Sequence, residues 1–482
     1  MRQDNKVVSG LGWKLLERFG VQGVQFVLQI ILARILDPEH YGVLSLMIIF
    51  TTLANVFIQR GFNTALVQNK DVTEEDYSSV FWVTMCAATL FYGGLFAAAP
   101  MIAEFYNMPD LIAPFRALCL MLFPGALNSI QLAIISRRMD FKKVFYSNVA
   151  AIIAAGVIGV VLAYMGAGLW ALVAQNLTNV FVACVVMWFG VKWRPRFVLN
   201  LRRIKTLFSY GWKLLVSGLM DTLYADLRSL VIGKKYDSSM LGYYNRGKQF
   251  PQFIIDAVNS SVQSVLLPAM SAEQDDKAKV KVMMRNSVML SSYIIFPMMA
   301  GLAGVATSLV SLLLTDKWLP SVPYMQIYCF TLAFYPVHSS NLQAINAMGR
   351  SDIFLKLEVI KKTMGIVALV IAVFLFDSPI AIAATGTITG LISCFINAYP
   401  NKRLIDYSYL EQMRDILPSF LLSFAMLGCV LAVELLGQGP IVTLLIQVVT
   451  GAAVYVFLSF ALRIAPFRLA LEAVKGFFKN RR

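Results

Sequence analysis

Apolar stretches of about 20 residues recur along nearly the whole chain, each long enough to cross roughly 30 Å of hydrocarbon. The runs are continuous, not ten-residue alternating segments. Helices, which satisfy every backbone N–H internally, are therefore the expected way to span a bilayer here. Of the 482 residues, 58% are hydrophobic and 14% charged, and the mean hydropathy is +0.67. A soluble domain carries about 25% charged residues. The chain reads as an all-α integral membrane protein with about fourteen spans, near 10–34, 41–60, 79–103, 111–135, 145–165, 168–190, 208–232, 249–268, 287–313, 323–347, 359–376, 379–399, 416–436 and 441–462. Connections between them are short.

The net charge of +15 suits a membrane surface better than nucleic acid, because basic residues gather in alternate short loops and orient such chains. With a cytoplasmic N-terminus, the cytoplasmic loops hold Arg137, Arg138, Lys142 and Lys143, then Lys192, Arg194, Arg196, Arg202, Arg203 and Lys205, then Lys277, Lys279, Lys281 and Arg285, then Lys356, Lys361, Lys362, Lys402 and Arg403, and the tail ends Lys479-Asn480-Arg481-Arg482. The opposite loops are nearly free of Lys and Arg, except for Lys234, Lys235, Arg246 and Lys248. Both termini are expected in the cytoplasm, with 197–207 lying as a basic amphipathic link on the inner surface. The six cysteines fall in apolar segments without metal-ligand spacing, so neither disulfides nor a metal site is expected. The short polar N-terminus shows no cleavable leader pattern.

Against this apolar background one polar pattern occurs twice, 199 residues apart. Lys14, Arg18, Gln22, Gln25 and Gln29 share their spacing with Lys213, Ser217, Asp221, Tyr224 and Arg228. Each set falls within about 80° of one helix face. Gly12-Trp13-Lys14-Leu15-Leu16 likewise recurs as Gly211-Trp212-Lys213-Leu214-Leu215, and Asp37 to Gly42 aligns with Asp237 to Gly242. Further on, at an offset of 212, Pro124 matches Pro336, Asn128 to Gln131 match Ser340 to Gln343, and Asp140 matches Asp352. Six spans separate equivalent positions. An even number preserves orientation, so the halves are expected to be parallel repeats about an axis along the membrane normal. The division is 1–195 for a first lobe, 196–207 for the linker, 208–400 for a second lobe, and 401–482 for two extra spans and a basic tail.

The order of several short motifs resembles the polysaccharide-transporter branch of the multidrug/oligosaccharidyl-lipid/polysaccharide exporter superfamily, the Wzx-type flippases. They are Ser9-Gly10-Leu11-Gly12-Trp13, Leu32-Ala33-Arg34-Ile35-Leu36-Asp37 with Tyr41-Gly42, Arg138-Met139-Asp140-Phe141, Leu241-Gly242-Tyr243-Tyr244-Asn245-Arg246-Gly247 and Asp316-Lys317-Trp318. The resemblance covers essentially the whole chain. It implies a V-shaped, MATE-like fold of two six-helix lobes plus two C-terminal helices. It also implies flipping of an undecaprenyl-diphosphate-linked oligosaccharide across the bacterial cytoplasmic membrane, with membrane lipids, a polysaccharide polymerase and chain-length proteins as further partners. No cofactor is expected beyond an ion gradient of H+ or Na+.

A polar face inside a membrane helix is costly unless it meets water, protein or a polar ligand. Arg18, with its planar donor fork, is the candidate for the diphosphate, and Lys14 and Lys213 for guiding it in; snorkelling to the headgroups is the alternative for the lysines, and an ion pair with Glu17 or a neighbouring helix for the arginine. Gln22, Gln25 and Gln29 offer donors and acceptors to sugar hydroxyls, or to neighbouring helices. Asp221, Tyr224 and Arg228 extend the second stripe, and Asp226 points about 140° away from Asp221. Asn55, Gln59 and Arg60 in the second span and Asp256, Asn259 and Gln263 in the eighth are candidates to complete the cavity. Glu17, Asp221, Asp256 and His338 are candidates for ion coupling. Pro124, Pro251, Pro268 and Pro336 are candidate bending points.

Three other functions fit parts of the pattern. A multidrug exporter of the same fold would favour an acidic or aromatic cavity. A peptidoglycan-precursor flippase differs in its glycan. A membrane polymerase or glycosyltransferase needs an outer domain or loop with carboxylates or metal ligands, and none is encoded in these short loops. The chain is therefore read as a transporter and not an enzyme.

Overall fold

In a computed structural model of the chain, residues 20–479 are described, except Lys70 and the side chains of Arg60, Gly61, Thr64, Tyr210, Ser260, Ser261, Ser264 and residues 473–479. The described residues form helices and turns with no strand. Nine helices among them are long and apolar enough to cross a membrane. The other expected spans are also helical but fall short for identifiable reasons. The first is described only from residue 20, with its α-helix, α1, running Gln22–Ile35. The seventh and eighth carry too many polar and charged groups. The tenth breaks at Phe334, and the eleventh carries Lys356, Glu358, Lys361 and Lys362.

The chain divides into two compact units, Met1–Gly242 and Tyr243–Arg482. The first contains α1, α2 (Pro38–Gln68), α3 (Glu74–Tyr106), α4 (Ile112–Leu118), α5 (Leu122–Arg138), α6 (Phe141–Tyr164), α7 (Leu169–Gly190) and α8 (Leu201–Lys235). Pro38 opens α2, where a missing N–H costs nothing. Thr73 and Asp76 cap α3 reciprocally, each side chain bonding the other's backbone N–H. The core runs along α2, with Phe62 and Leu66 packed among Val80, Phe81, Ile130, Ile134 and Leu207. Small residues permit close helix approach: a Cβ on Gly156 of α6 would meet Leu28 of α1 at 2.6 Å.

Residues 191–200 and the helix after them differ from the expected surface link. The segment 191–200 is extended and lies along α3: Trp82 Nε1 donates to Arg196 O (2.9 Å), Asn200 N to Ser79 Oγ (2.9 Å) and Trp193 Nε1 to Glu74 Oε2 (2.8 Å). Asn200 then caps a single 35-residue helix, so 201–207 are the first turns of the seventh span. Nothing in the sequence between Phe197 and Leu207 breaks a helix except the cap itself, which fixes where it starts.

The matched turns 37–42 and 237–242 touch each other. A Cβ on Gly42 would come 1.7 Å from the Ser238 carbonyl oxygen, and one on Gly242 would come 2.1 Å from that of Pro38. Each glycine of one turn thus meets a backbone carbonyl of the other. Only glycine permits this approach.

The second unit contains most of α9 (Ser238–Ala272), then α10 (Lys277–Gly304), α11 (Ala306–Leu314), α12 (Val322–Ala333), α13 (Tyr335–Ala347), α14 (Ser351–Leu375), α15 (Pro379–Ala398), α16 (Asn401–Leu404), α17 (Tyr409–Glu434), α18 (Pro440–Ala461) and α19 (Ala465–Lys479). Pro251 and Pro268 lie inside α9, whereas Pro336 follows the break at Phe334 and starts α13. Pro124 sits at the third position of α5. A fully buried amide cluster ties α13, α16 and α17 together. Asn341 Nδ2 donates to Gln412 Oε1 (2.7 Å), and its Oδ1 accepts from Gln412 Nε2 (3.1 Å) and Asn401 Nδ2 (2.7 Å). The repeat-equivalent acids sit at turns beside cations: Asp140 pairs with Lys143 at 3.0 Å, and Arg350 forks onto Asp352 at 2.9 and 2.8 Å. Those hydrogen bonds from Arg350 hold the Asp352 carboxyl well below the usual range. Large apolar side chains such as Phe189, Phe374 and Phe460 stay exposed, as expected where lipid is the solvent.

Candidate functional site

The second polar stripe lies on α8, and its orientation follows from how that helix packs. Leu207, Gly211, Gly218, Ser229, Ile232 and Gly233 are buried and cluster on one face. That face rests on α2: Phe208 lies 5.6 Å from Phe62 between ring centroids, and a Cβ on Gly233 would meet Leu46 at 2.8 Å. At 100° per residue, Lys213, Ser217, Asp221, Tyr224 and Arg228 centre about 110° around α8 from the packed face. Lys213, Ser217 and Asp221 are exposed, and Tyr224 and Arg228 half-buried. Asp226 lies on the opposite flank and is half-buried. The stripe thus occupies a flank that α2 leaves open.

On α1, Gln22, Gln25 and Gln29 centre about 90° around the helix from Leu28, which fits against Gly156. Gln25 is exposed, and Gln22 and Gln29 are half-buried. Lys14, Glu17 and Arg18 lie outside the described residues, as does the side chain of Arg60.

The other candidates are engaged to different degrees. Gln59 Nε2 donates to Asn55 Oδ1 (3.3 Å), and a Cβ on Gly125 would meet that oxygen at 2.8 Å, so this amide pair sits in the α2–α5 contact. Gln252 donates to Asp256 (2.9 Å), which is exposed. Gln263 Nε2 donates to Ser339 Oγ (3.1 Å), and Asn259 is half-buried. Both ring nitrogens of His338 are occupied, Nε2 by Cys394 Sγ and Nδ1 by Asn397 Nδ2, each at 3.2 Å.

Sequence reasoning missed three features. One is the buried amide cluster around Asn341, whose only signal was amides inside apolar segments. Another is Asp76, 1% exposed, which accepts from Arg203 Nε (2.8 Å) and Nη2 (2.7 Å). The third is a cavity of about 1120 Å3 in the first unit, lined by Glu39, His40, Trp170, Lys234, Lys235 and Asp237 among others. Lys234 donates to the Phe105 carbonyl oxygen, and its ammonium lies 4.3 Å from that ring's centroid. A local anchor of this kind accounts for one of the lysines on the side expected to be poor in them.

Residues 31–323 match the profile of a family described as "Polysaccharide biosynthesis protein". The chain is 23% identical over 467 residues to the teichuronic acid biosynthesis protein TuaB of Bacillus subtilis, covering 94% of this chain and 95% of that one. It is 25% identical to the succinoglycan biosynthesis transport protein ExoT of Rhizobium meliloti, covering 72% and 70%. It is 24% identical to the lipopolysaccharide biosynthesis protein WzxC of Escherichia coli, covering 76% and 75%. Among solved structures it superposes on the lipid II flippase MurJ in an inward closed conformation with a TM-score of 0.76, at 14% identity, over 95% of this chain and 99% of that one. An inward-facing MATE family transporter of the MOP superfamily gives 0.60 at 14% identity, over 81% and 98%. The fold is therefore the all-helical MurJ- and MATE-like one.

Proposed function

The chain belongs to the polysaccharide biosynthesis protein family, and from that premise we propose that it flips an undecaprenyl-diphosphate-linked oligosaccharide across the bacterial cytoplasmic membrane by alternating access. The observation that carries this reading is the polar stripe on the open flank of α8, Lys213, Ser217, Asp221, Tyr224 and Arg228, whose spacing recurs in the basic and amide-rich set Lys14, Arg18, Gln22, Gln25 and Gln29 of the segment that contains α1. A diphosphate entering a low-dielectric path loses hydration, and fixed cationic donors replace it. Arg18 takes that role, with Lys14 and Lys213 guiding the headgroup from the cytoplasmic side. Gln22, Gln25 and Gln29, with Tyr224, Asp221 and Arg228, meet the glycan.

Three relatives named for the synthesis or transport of surface polysaccharides support the cargo class, and MurJ supports the mode of movement by fold. The first lobe is 1–195 and the second runs from the start of α8 at Leu201 to residue 400; both termini are cytoplasmic, and a polymerase and chain-length proteins act on the product outside. For ion coupling, the candidates among the described residues are the exposed carboxylates Asp221 and Asp256 and the half-buried His338, whose nitrogens meet Cys394 and Asn397. A stripe of lysine, arginine and glutamine suits an anionic sugar lipid better than a cationic drug.

Deleting the gene should abolish the surface polysaccharide and accumulate its lipid-linked precursor, and a plasmid copy should restore export. Arg18→Ala should fail to restore it, Arg18→Lys should restore it in part, because an ammonium keeps the charge but loses the fork, and Lys479→Ala should restore it fully. Normal export by Arg18→Ala at matched protein level removes the diphosphate role from Arg18. Unchanged polysaccharide in the deletion strain removes the flippase reading.

A further inference from the structure

We propose that a pocket formed by the starts of α10, α17 and α19 holds the phosphate of a resident anionic phospholipid of the inner leaflet. The placement in the inner leaflet rests on the orientation proposed above. The pocket has a volume of about 470 Å3, and its charged lining is Arg285, Arg414, Asp415, Arg468 and Glu472. Asp415 is already spent: it accepts from Arg285 Nε (2.8 Å) and Nη2 (2.7 Å) and from Tyr407 Oη (2.7 Å). That network fixes the pocket wall and leaves it electrically neutral. The guanidinium groups of Arg414 and Arg468 make no hydrogen bond or ion pair among the described residues, and both side chains are exposed. Glu472, one turn beyond Arg468, is the single acid left to oppose two cations.

The apolar surroundings identify the kind of anion. Apart from Asn286 the rest of the lining is apolar, with Met289, Pro418, Ile464 and Leu469 its larger members. Nearby, Leu417 of α17 is 49% exposed, Phe460 at the end of α18 70% and Leu462 just after it 63%, faces suited to acyl chains. The helix α19 is held in place by Ile464, packed on the Val305–Met426–Tyr455 cluster, and by Phe467, whose ring lies 6.3 Å from that of Tyr293. Free cations at the end of apolar helices, beside an opening to lipid, are what a phospholipid headgroup requires. The cargo of the proposed transport is a poorer match for this place. The helices α17, α18 and α19 lie beyond the duplicated segment and carry no copy of the polar stripe.

Native mass spectrometry of the full-length protein in detergent tests the assignment without any transport assay. Titration with phosphatidylglycerol should show one tight site that phosphatidylcholine does not fill. The double variant Arg414→Ala/Arg468→Ala should weaken that site by roughly thirtyfold. Lys402→Ala/Arg403→Ala removes the same charge from exposed residues outside the pocket and should leave the site intact. Thermal unfolding without added lipid should show the Arg414/Arg468 variant still folded. If it is not, Arg414→Gln/Arg468→Gln should keep the fold and lose the lipid. Equal weakening in the Lys402/Arg403 control would overturn the site in favour of general charge attraction. Stronger retention of undecaprenyl diphosphate than of phosphatidylglycerol, or displacement by millimolar inorganic phosphate, would overturn the phospholipid assignment.

Discussion

Arg203→Ala should loosen the join between α3 and α8 more than an ordinary surface substitution would. The Asp76 carboxylate is 1% exposed and receives four hydrogen bonds, two from Arg203 and two from Thr73, at 2.9 Å from its N–H and 3.1 Å from its hydroxyl. Removing the arginine leaves Asp76 Oδ1 without its donor, while Thr73 continues to hold Oδ2. Breaking a buried ion pair costs about 3–5 kcal/mol. The Arg203 side chain is 39% exposed, so water competes for it and the figure falls to about 2 kcal/mol. A double-mutant cycle with Asp76→Asn, read from unfolding in mixed micelles, should show coupling of about 1–2 kcal/mol. Arg203→Lys should recover less than half, since one ammonium cannot make the two-pronged contact. Coupling below about 0.3 kcal/mol would mean that the pair behaves as a solvated surface bridge, and the account of the join would be wrong.

Two further substitutions read the packing. Gly42→Ala places a Cβ 1.7 Å from the Ser238 carbonyl oxygen and should sharply lower the yield of folded protein, whereas Gly93→Ala, where a Cβ meets nothing within 4 Å, should match or exceed wild type in thermal stability. Asn341→Leu breaks three interhelical side-chain hydrogen bonds and should cost about 2 kcal/mol of stability in detergent, at roughly 0.6 kcal/mol for each such bond.

The helical class was legible because the length and continuity of apolar runs are local properties. The stripe on α8 was legible for the same reason: the polar positions recur at the helix period, and the packed glycines and leucines fall on another face. The expected surface link was misread because a basic amphipathic stretch looks the same whether it lies on a headgroup layer or begins a span. What separates the two is the Asn200 cap and the strap on Ser78, Ser79 and Trp82, contacts made over more than a hundred residues. The amides Asn55 and Gln59 illustrate the same limit. Their type marked them as ligands, but their place against Gly125 depends on helix packing that no local pattern encodes. His338 and the Asn341 cluster are likewise defined by partners about 55–70 residues distant in sequence.

The central claim is movement of a sugar-bearing diphosphate lipid, and reconstitution tests it most directly. Purified protein would be placed in proteoliposomes loaded on one side with undecaprenyl-diphosphate-linked oligosaccharide, with an ion gradient imposed. Transfer would be followed by the accessibility of the glycan to an added glycosidase. The account predicts protein-dependent appearance of cleavable glycan on the far side, slowed strongly by Arg18→Ala. Glycan that stays protected while an organic cation moves through the same vesicles would contradict it.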